Sequence, residues 1–173
     1  LASGEKVLVQ IKDSTGALVY SGDAVINGTN WTLDKTAASL NPGNYTITAT
    51  IVDASNTAVA AYGNLGVAVQ PLVVDTTVPS IAISSDKSTL NANQTATITF
   101  TLSDASTDFN ASDVTVTGGT LSNFTGSGTT YTATFVPSSG STSGSVSVAS
   151  GKFTDAAGNA NTDGSDADNT KNL

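Results

Sequence analysis

Ala96-Thr97-Ile98-Thr99-Phe100-Thr101-Leu102 alternates apolar and hydroxylated side chains without a break. Side chains of a strand point to opposite faces in turn, so this spacing gathers Ala96, Ile98, Phe100 and Leu102 on one face and the threonines on the other. On a helix the same spacing would scatter the apolar groups around the axis. β-Branched Ile and Thr also suit a pleated backbone better than a helical one. The stretch reads as an antiparallel strand with one dry face and one wet face.

The pattern repeats on either side. Downstream, residues 113–117 supply a strand, Gly118-Gly119 turns the chain, and residues 129–136 alternate Tyr131, Ala133 and Phe135. Residues 145–153 follow as a further strand, and the polar, Asp-rich tail 161–173 holds only a partial last one. Upstream, Ile81 and Ile83 begin a strand. Further back, residues 6–12 alternate Val7, Val9 and Ile11, and Asp13-Ser14-Thr15-Gly16 turns the chain into residues 17–20. Asn27-Gly28 and Asn30 mark a turn before Trp31-Thr32-Leu33, with Trp31 placed as a core residue. Residues 44–52 put Tyr45, Ile47, Ala49 and Ile51 on one face, and a last strand of this half runs over 59–74. One helical turn at 35–40 is the most helix the chain offers. Leu40-Asn41-Pro42-Gly43-Asn44-Tyr45 reads either as a tyrosine corner, with the phenol bonded to upstream backbone, or as a plain turn before a buried Tyr.

At 173 residues the chain is long for one sandwich of about 100 and suits two in tandem. The break falls at Val74-Asp75-Thr76-Thr77-Val78-Pro79, where an apolar run stops at an Asp and Pro79 restricts the residue before it. The reading is all-β, two tandem immunoglobulin-like antiparallel β-sandwich domains: 1–74, in which a first strand is not evident, and 75–173, with a partial or irregular last strand.

Composition excludes whole classes of function. Apolar residues make up 38% and charged residues 12%, thin for a helical protein; disorder would bring more charge and no strand-length runs. The net charge is −8 and every basic residue is Lys, so nucleic acid is not a partner. With no Cys, Met or His, disulfides, zinc sites, haem ligation and Ser-His or Cys-His catalysis go together. Glu5 is the only Glu, the other acids being Asp, mostly beside Gly, Ser, Asn or Ala. Short loop carboxylates suit hard cations, and they are also common turn residues. No signal peptide or membrane span is visible, and the stretch reads as a fragment of a longer chain, monomeric as it stands.

Val74-Asp75-Thr76-Thr77-Val78-Pro79 resembles the Asp-Thr-Thr-x-Pro linker of bacterial Ig-like repeats, and Phe153-Thr154-Asp155-Ala156-Ala157-Gly158-Asn159 resembles their Asp-x-x-Gly-Asn loop. Residues 96–104 and 113–121 fit between them, so the likeness covers nearly all of the second domain. The first matches more loosely, through Gly4-Glu5-Lys6-Val7, Asn30-Trp31-Thr32-Leu33 and Gly43-Asn44-Tyr45-Thr46, and Val52-Asp53-Ala54-Ser55-Asn56 sets Ser where the loop usually has Gly. Such repeats form arrays in giant secreted adhesins, including those exported by type I secretion with RTX calcium repeats; the RTX nonapeptide itself is absent here. The resemblance implies a structural extender on the bacterial cell surface, with neighbouring repeats of the same polypeptide as partners, no membrane insertion, and calcium stiffening the junctions.

Topology leads to the same ion. In an Ig-like sandwich the B–C and F–G loops lie at the pole where the chain comes in, so Asp104 at the end of one strand and Asp155 opening a loop should face Asp75. Carboxylates gathered there repel one another unless a cation with about six to eight oxygen ligands joins them. Asn159 and Asp163 extend the set, and Asp53 and Asp13 form an equivalent, incomplete pole on the first domain. Asp163, Asp166 and Asp168 lack EF-hand spacing.

No nucleophile elbow, phosphate loop or paired-carboxylate motif marks an enzyme. Glycan binding would use exposed aromatics, and most of the one Trp, four Tyr and five Phe sit on faces that read as core. Ice binding would use threonine stripes such as Thr97, Thr99 and Thr101 or Thr132 and Thr134, which any wet sheet face also shows. Asn-x-Ser/Thr sequons such as Asn27-Gly28-Thr29 follow from composition.

Overall fold

A computed structural model describes residues 1–33, 39–91 and 93–173, the side chains of residues 64 and 65 excepted. The helical turn expected at 35–40 lies largely outside the described residues. The chain divides into two compact units, Leu1–Asp75 and Thr76–Leu173, and both are built of antiparallel strands.

The first unit holds strands β1 (Lys6–Asp13), β2 (Leu18–Asp23), β3 (Val25–Asn27), β4 (Asn30–Thr32), β5 (Gly43–Val52) and β6 (Val67–Val74). Four of them form a sheet in the order β2-β1-β5-β6, and β3 and β4 make a separate two-stranded hairpin. Val9 lies opposite Ala49 and Val7 opposite Ile51, so the alternating residues of β1 and β5 share one face. Val7, Val9 and Ala49 are buried together there, with Ala24, Leu33, Ile47 and Ile51 packed partly against them. Tyr45 Oη donates to Asn41 O at 2.8 Å, so the Pro-Gly turn before β5 has the phenol-to-backbone bond of a tyrosine corner.

Two expectations for this unit change. Residues 59–74 are not one strand, because the 3-10 segment Ala60–Gly66, broken by Gly63 at φ 50°, precedes β6. Tyr62 N donates to Val59 O and Tyr62 Oη to Glu5 Oε2 at 2.8 Å, which curls the backbone there. Trp31 is 41% exposed rather than core. The hairpin has strands of three residues each, and among the described residues Trp31 walls hollows beside it, one of about 420 Å³ lined also by Val9, Ile11, Leu33, Ile47 and Leu72.

The second unit holds β7 (Ile81–Ser85), β8 (Ala96–Ser106), β9 (Val114–Thr117), β10 (Gly119–Pro137), β11 (Ser145–Val148) and β12 (Thr170–Asn172). Two three-stranded sheets, β10-β8-β7 and β12-β11-β9, enclose its core. The alternation of residues 96–102 is realised: Ala96, Ile98, Phe100 and Leu102 are buried, and Thr99 and Thr101 lie opposite Thr132 and Thr130 on the wet face. Phe109 sits between Phe100, Phe124, Tyr131 and Phe153, each ring centroid within 5.6 Å of its own. Fully burying one such ring contributes about 1.5–3 kcal/mol, and edge-on ring pairs add to it.

Strand ends differ from the sequence reading. β10 begins at Gly119 and doubles back on itself, Ser138 N donating to Gly118 O and Ser122 Oγ approaching Thr134 O. Gly118, at φ 64°, makes the turn into it, and a Cβ there would collide with the Ser143 carbonyl. β11 stops at Val148, so Phe153 enters the core from a loop. β8 continues to Ser106 and bulges between Thr101 and Ser106, which puts Asp104 inside the bulge rather than at a strand end. β12 is the short last strand expected, pairing Asn172 with Ser145.

Candidate functional site

Three loops of this chain close in the same way, each opened by one of the acids expected to bind metal. Asp13 Oδ1 accepts from Thr15 N at 2.9 Å and Ala17 N at 3.0 Å; Asp53 Oδ1 accepts from Ser55 N at 2.8 Å and Thr57 N at 3.0 Å. Asp155 Oδ1 accepts from Ala157 N and Asn159 N, both at 2.9 Å. In each loop the fourth residue donates its N–H to the Asp carbonyl, and the Asp N–H donates to the carbonyl of the fifth. The fourth residue is left-handed in all three: Gly16 at φ 86°, Asn56 at 64° and Gly158 at 90°. A short carboxylate suits this turn because it reaches the N–H two residues on, and Gly or Asn tolerates the left-handed position. The loop at Asp53 therefore has the same turn as the loop at Asp155. Asn56, not Ser55, occupies the glycine position.

These carboxylates are acceptors within their own loops. At Asp155 the Asn159 side chain adds a bond to Oδ2 at 2.9 Å. That bond, followed by the Asn159 and Ala157 amides, outweighs burial and holds the Asp155 pKa below the ordinary 3.8. The Thr15 hydroxyl and the loop amides lower the pKa of Asp13 in the same direction.

The remaining polar groups of the second unit knit its loops together at one end. Asp163 Oδ2 accepts from Ile81 N at 2.6 Å and its Oδ1 from Asn161 Nδ2 at 3.0 Å. Asp104 accepts from Ser103 Oγ at 2.8 Å, and the same hydroxyl receives Ser80 N at 2.9 Å. Asp104 and Asp163 are thus both tied to the residues that open β7. Asp75, half-buried, is the last residue of the first unit. Among the described residues no three acidic side chains stand close enough together to hold a metal ion.

Three side chains at this end were not singled out from the sequence. Asp108 Oδ1 accepts from Thr154 N at 2.9 Å and Ser106 Oγ at 2.7 Å, and its Oδ2 from Thr154 Oγ1 at 2.8 Å, binding the loop after β8 to the loop before residue 155. Burial raises its pKa, and the bonds from Thr154 and Ser106 together outweigh burial and hold it low. Asn161, 1% exposed, accepts from Lys152 N and Phe153 N and donates to Ala149 O, so it staples the turn that feeds Phe153 into the core. Asn169, fully buried, donates to Val148 O at 3.4 Å, while its Oδ1 has no partner. The signal available for the first two was a polar residue immediately after a strand, in Ser106-Thr107-Asp108, or after the Asp-opened loop, in Asn159-Ala160-Asn161.

Chemically, these acids accept hydrogen bonds and order loops, and no nucleophile is paired with a base in any of them. No helix among the described residues is long and apolar enough to cross a membrane. Comparison with curated proteins and with solved structures gives no match. The bacterial Ig-like domain family matches residues 75–172, more than half of the chain, and the chain belongs to that family.

Proposed function

We propose that the chain is a structural extender of a bacterial cell-surface adhesin, a spacer exported to the outside of the cell and joined to further repeats of its own polypeptide. One observation carries this reading: the polar side chains best suited to make a site are spent closing loops and tying them to the core. Asp13, Asp53, Asp108, Asp155 and Asn161 all accept backbone N–H groups. A spacer needs loops that hold their shape under load, and this is what such bonds supply. Family membership supports the same role, since bacterial Ig-like domains occur in extracellular surface proteins.

Calcium stiffening is the part of the proposal that titration decides. Asp104 and Asp163 are the acids at the opening of β7 with oxygen lone pairs to spare, hard ligands of the right kind but short of the about six to eight oxygens calcium takes. Asp155 would add to the set only through Oδ2, which already accepts from Asn159 Nδ2. The spacer reading predicts that calcium raises the melting temperature more than magnesium and that Asp104→Ala abolishes the difference. Small-angle scattering in calcium and in chelator then reads stiffness directly. Equal shifts with both ions would remove calcium from the reading.

A second reading, glycan contact, is favoured by the exposed Trp31 beside its apolar hollow. Quenching or enhancement of Trp31 fluorescence by soluble glycans tests it, and an unchanged spectrum across a glycan panel argues for the spacer alone.

A further inference from the structure

We propose that Asn27 is a site of spontaneous deamidation in the folded protein, because the fold leaves the Asn27-Gly28 pair open to attack while it holds the Asp163-Gly164 pair closed. Both pairs carry the same latent chemistry. The backbone nitrogen of the glycine attacks the side-chain Cγ of the preceding residue, and a five-membered succinimide forms. At Asn27 the new bond joins Gly28 N to Cγ, the Cγ–Nδ2 bond breaks, and the amide nitrogen leaves as ammonia with the proton lost by Gly28 N. At Asp163 the corresponding step needs the protonated carboxyl, whose hydroxyl leaves as water with the proton lost by Gly164 N. Water then opens the ring at either carbonyl and gives aspartate or isoaspartate. No oxidant, cofactor or enzyme is needed beyond water.

What differs between the pairs is the surroundings. Asn27 ends β3 at the tip of the hairpin and is exposed, lying opposite Asn30 across a two-residue connection. Gly28 stands at φ 62°, the left-handed first position that such a tight hairpin turn requires, and open space surrounds the place where a Cβ would be. Among the described residues neither the Asn27 side chain nor the Gly28 N–H has a hydrogen-bond partner. Nucleophile and electrophile are therefore both unengaged and have room to close a ring.

Asp163-Gly164 is the opposite case. The two carboxylate oxygens of Asp163 accept from Ile81 N at 2.6 Å and Asn161 Nδ2 at 3.0 Å, and Gly164 N donates to Ser150 Oγ at 3.0 Å. The backbone of Ala149 and Ser150 crowds Gly164 so closely that a Cβ there would collide with it. The attacking nitrogen is occupied, and Cγ cannot swing toward it without breaking both carboxylate bonds.

The product would matter because of where the hairpin lies. Isoaspartate inserts an extra methylene into the main chain at the tip and adds a negative charge, and the next cross-strand pair inward is Ile26 with Trp31. Trp31 should move away from the hollows it walls, so its fluorescence reports the change.

The test is incubation of the intact protein in mildly alkaline buffer, which favours the step at Asn27, and in mildly acidic buffer, where a carboxyl can lose water, each with and without urea, followed by peptide mapping by mass spectrometry. In the folded protein the peptide containing Asn27 should gain the mass of OH for NH2 at a rate close to that in urea, several-fold faster than any other Asn. The peptide containing Asp163 should form isoaspartate only in urea. Incubation should also shift Trp31 fluorescence in the native chain and leave it constant in Asn27→Gln, whose longer side chain would have to close a six-membered ring. Asn27 surviving in the folded protein while converting in urea would overturn the proposal, and so would equal isomerisation of Asp163 in both states.

Discussion

Asn161 shows how much stability a single loop residue can carry in this fold. Its amide satisfies Lys152 N, Phe153 N and Ala149 O while 1% exposed, so Asn161→Ala leaves three backbone groups without that partner, the N–H of buried Phe153 among them. A buried group left unsatisfied costs about 1–3 kcal/mol, and the groups on exposed Lys152 and Ala149 cost less because water reaches them. Chemical denaturation should show a loss of about 2 kcal/mol or more, against less than half of that for an exposed Asn such as Asn172. The acids add a pH dependence of definite sign. Asp13, Asp108 and Asp155 have folded-state pKa values below the ordinary 3.8, so each stabilises the fold above its unfolded value and loses that contribution as pH falls through the folded value. The urea midpoint should be level from neutral pH to about 5 and drop below about 4. Asp155→Asn, which keeps the Oδ1 acceptor, should make that drop shallower, while Asp155→Ala should lower the midpoint at every pH. At this scale the sequence was half legible. The loop acids could be singled out from composition, but Asp serves equally as ligand and as turn acceptor, and only the donors around it decide between the two. The donors at residues 15 and 17 or 157 and 159 lie within the loop itself, whereas the link from Asp108 to Thr154 spans 46 residues and leaves no local trace.

Among elements, alternation located the strands well and their ends poorly. Side-chain period depends on the strand itself, so the faces of β1, β5, β8 and the outer half of β10 could be read directly. Ends depend on what the backbone bonds to next. The curl at residues 60–66 rests partly on the Tyr62 bond to Glu5, and the bulge around Asp104 on the pairing of Ser106 with Gly128, both distant in sequence. Glycines at turns divide in the same way. Gly118 and Gly140 are both left-handed, at φ 64° and 77°, but a Cβ would strike the Ser143 carbonyl at Gly118 and meet open space at Gly140. Gly140→Ala should therefore cost only the conformational penalty of about 1–2 kcal/mol, while Gly118→Ala should cost distinctly more because the backbone at 143–144 must shift. Thermal melts of the two variants check this, and equal losses would mean that the backbone there yields freely.

The two units of the molecule differ in how much apolar surface they bury, and this sets the order in which they should unfold. Among the described residues, thirteen buried apolar ones form one cluster in the second, including Phe100, Phe109, Phe135 and Phe153. The first has Val7, Val9 and Ala49 at its centre, hollows along Trp31, and exposed Val67, Val69 and Val73 on its edge strand. A domain of that size rarely gains more than about 3–5 kcal/mol from a single core, and this core is small even so. The aromatic residues supply separate probes. The only Trp is in the first unit and all five Phe are in the second, where Tyr131 packs on Phe109 and Phe124 and is buried. In a urea titration Trp31 fluorescence should change at the lower denaturant concentration, and the near-ultraviolet circular dichroism of the packed rings should persist to a higher one. Asn161→Ala should move only the second transition, since its bonds lie wholly within residues 149–163. Coincident transitions by both probes, moved together by that substitution, would show the two units unfolding as one cooperative body and would contradict the assignment of stability to separate cores.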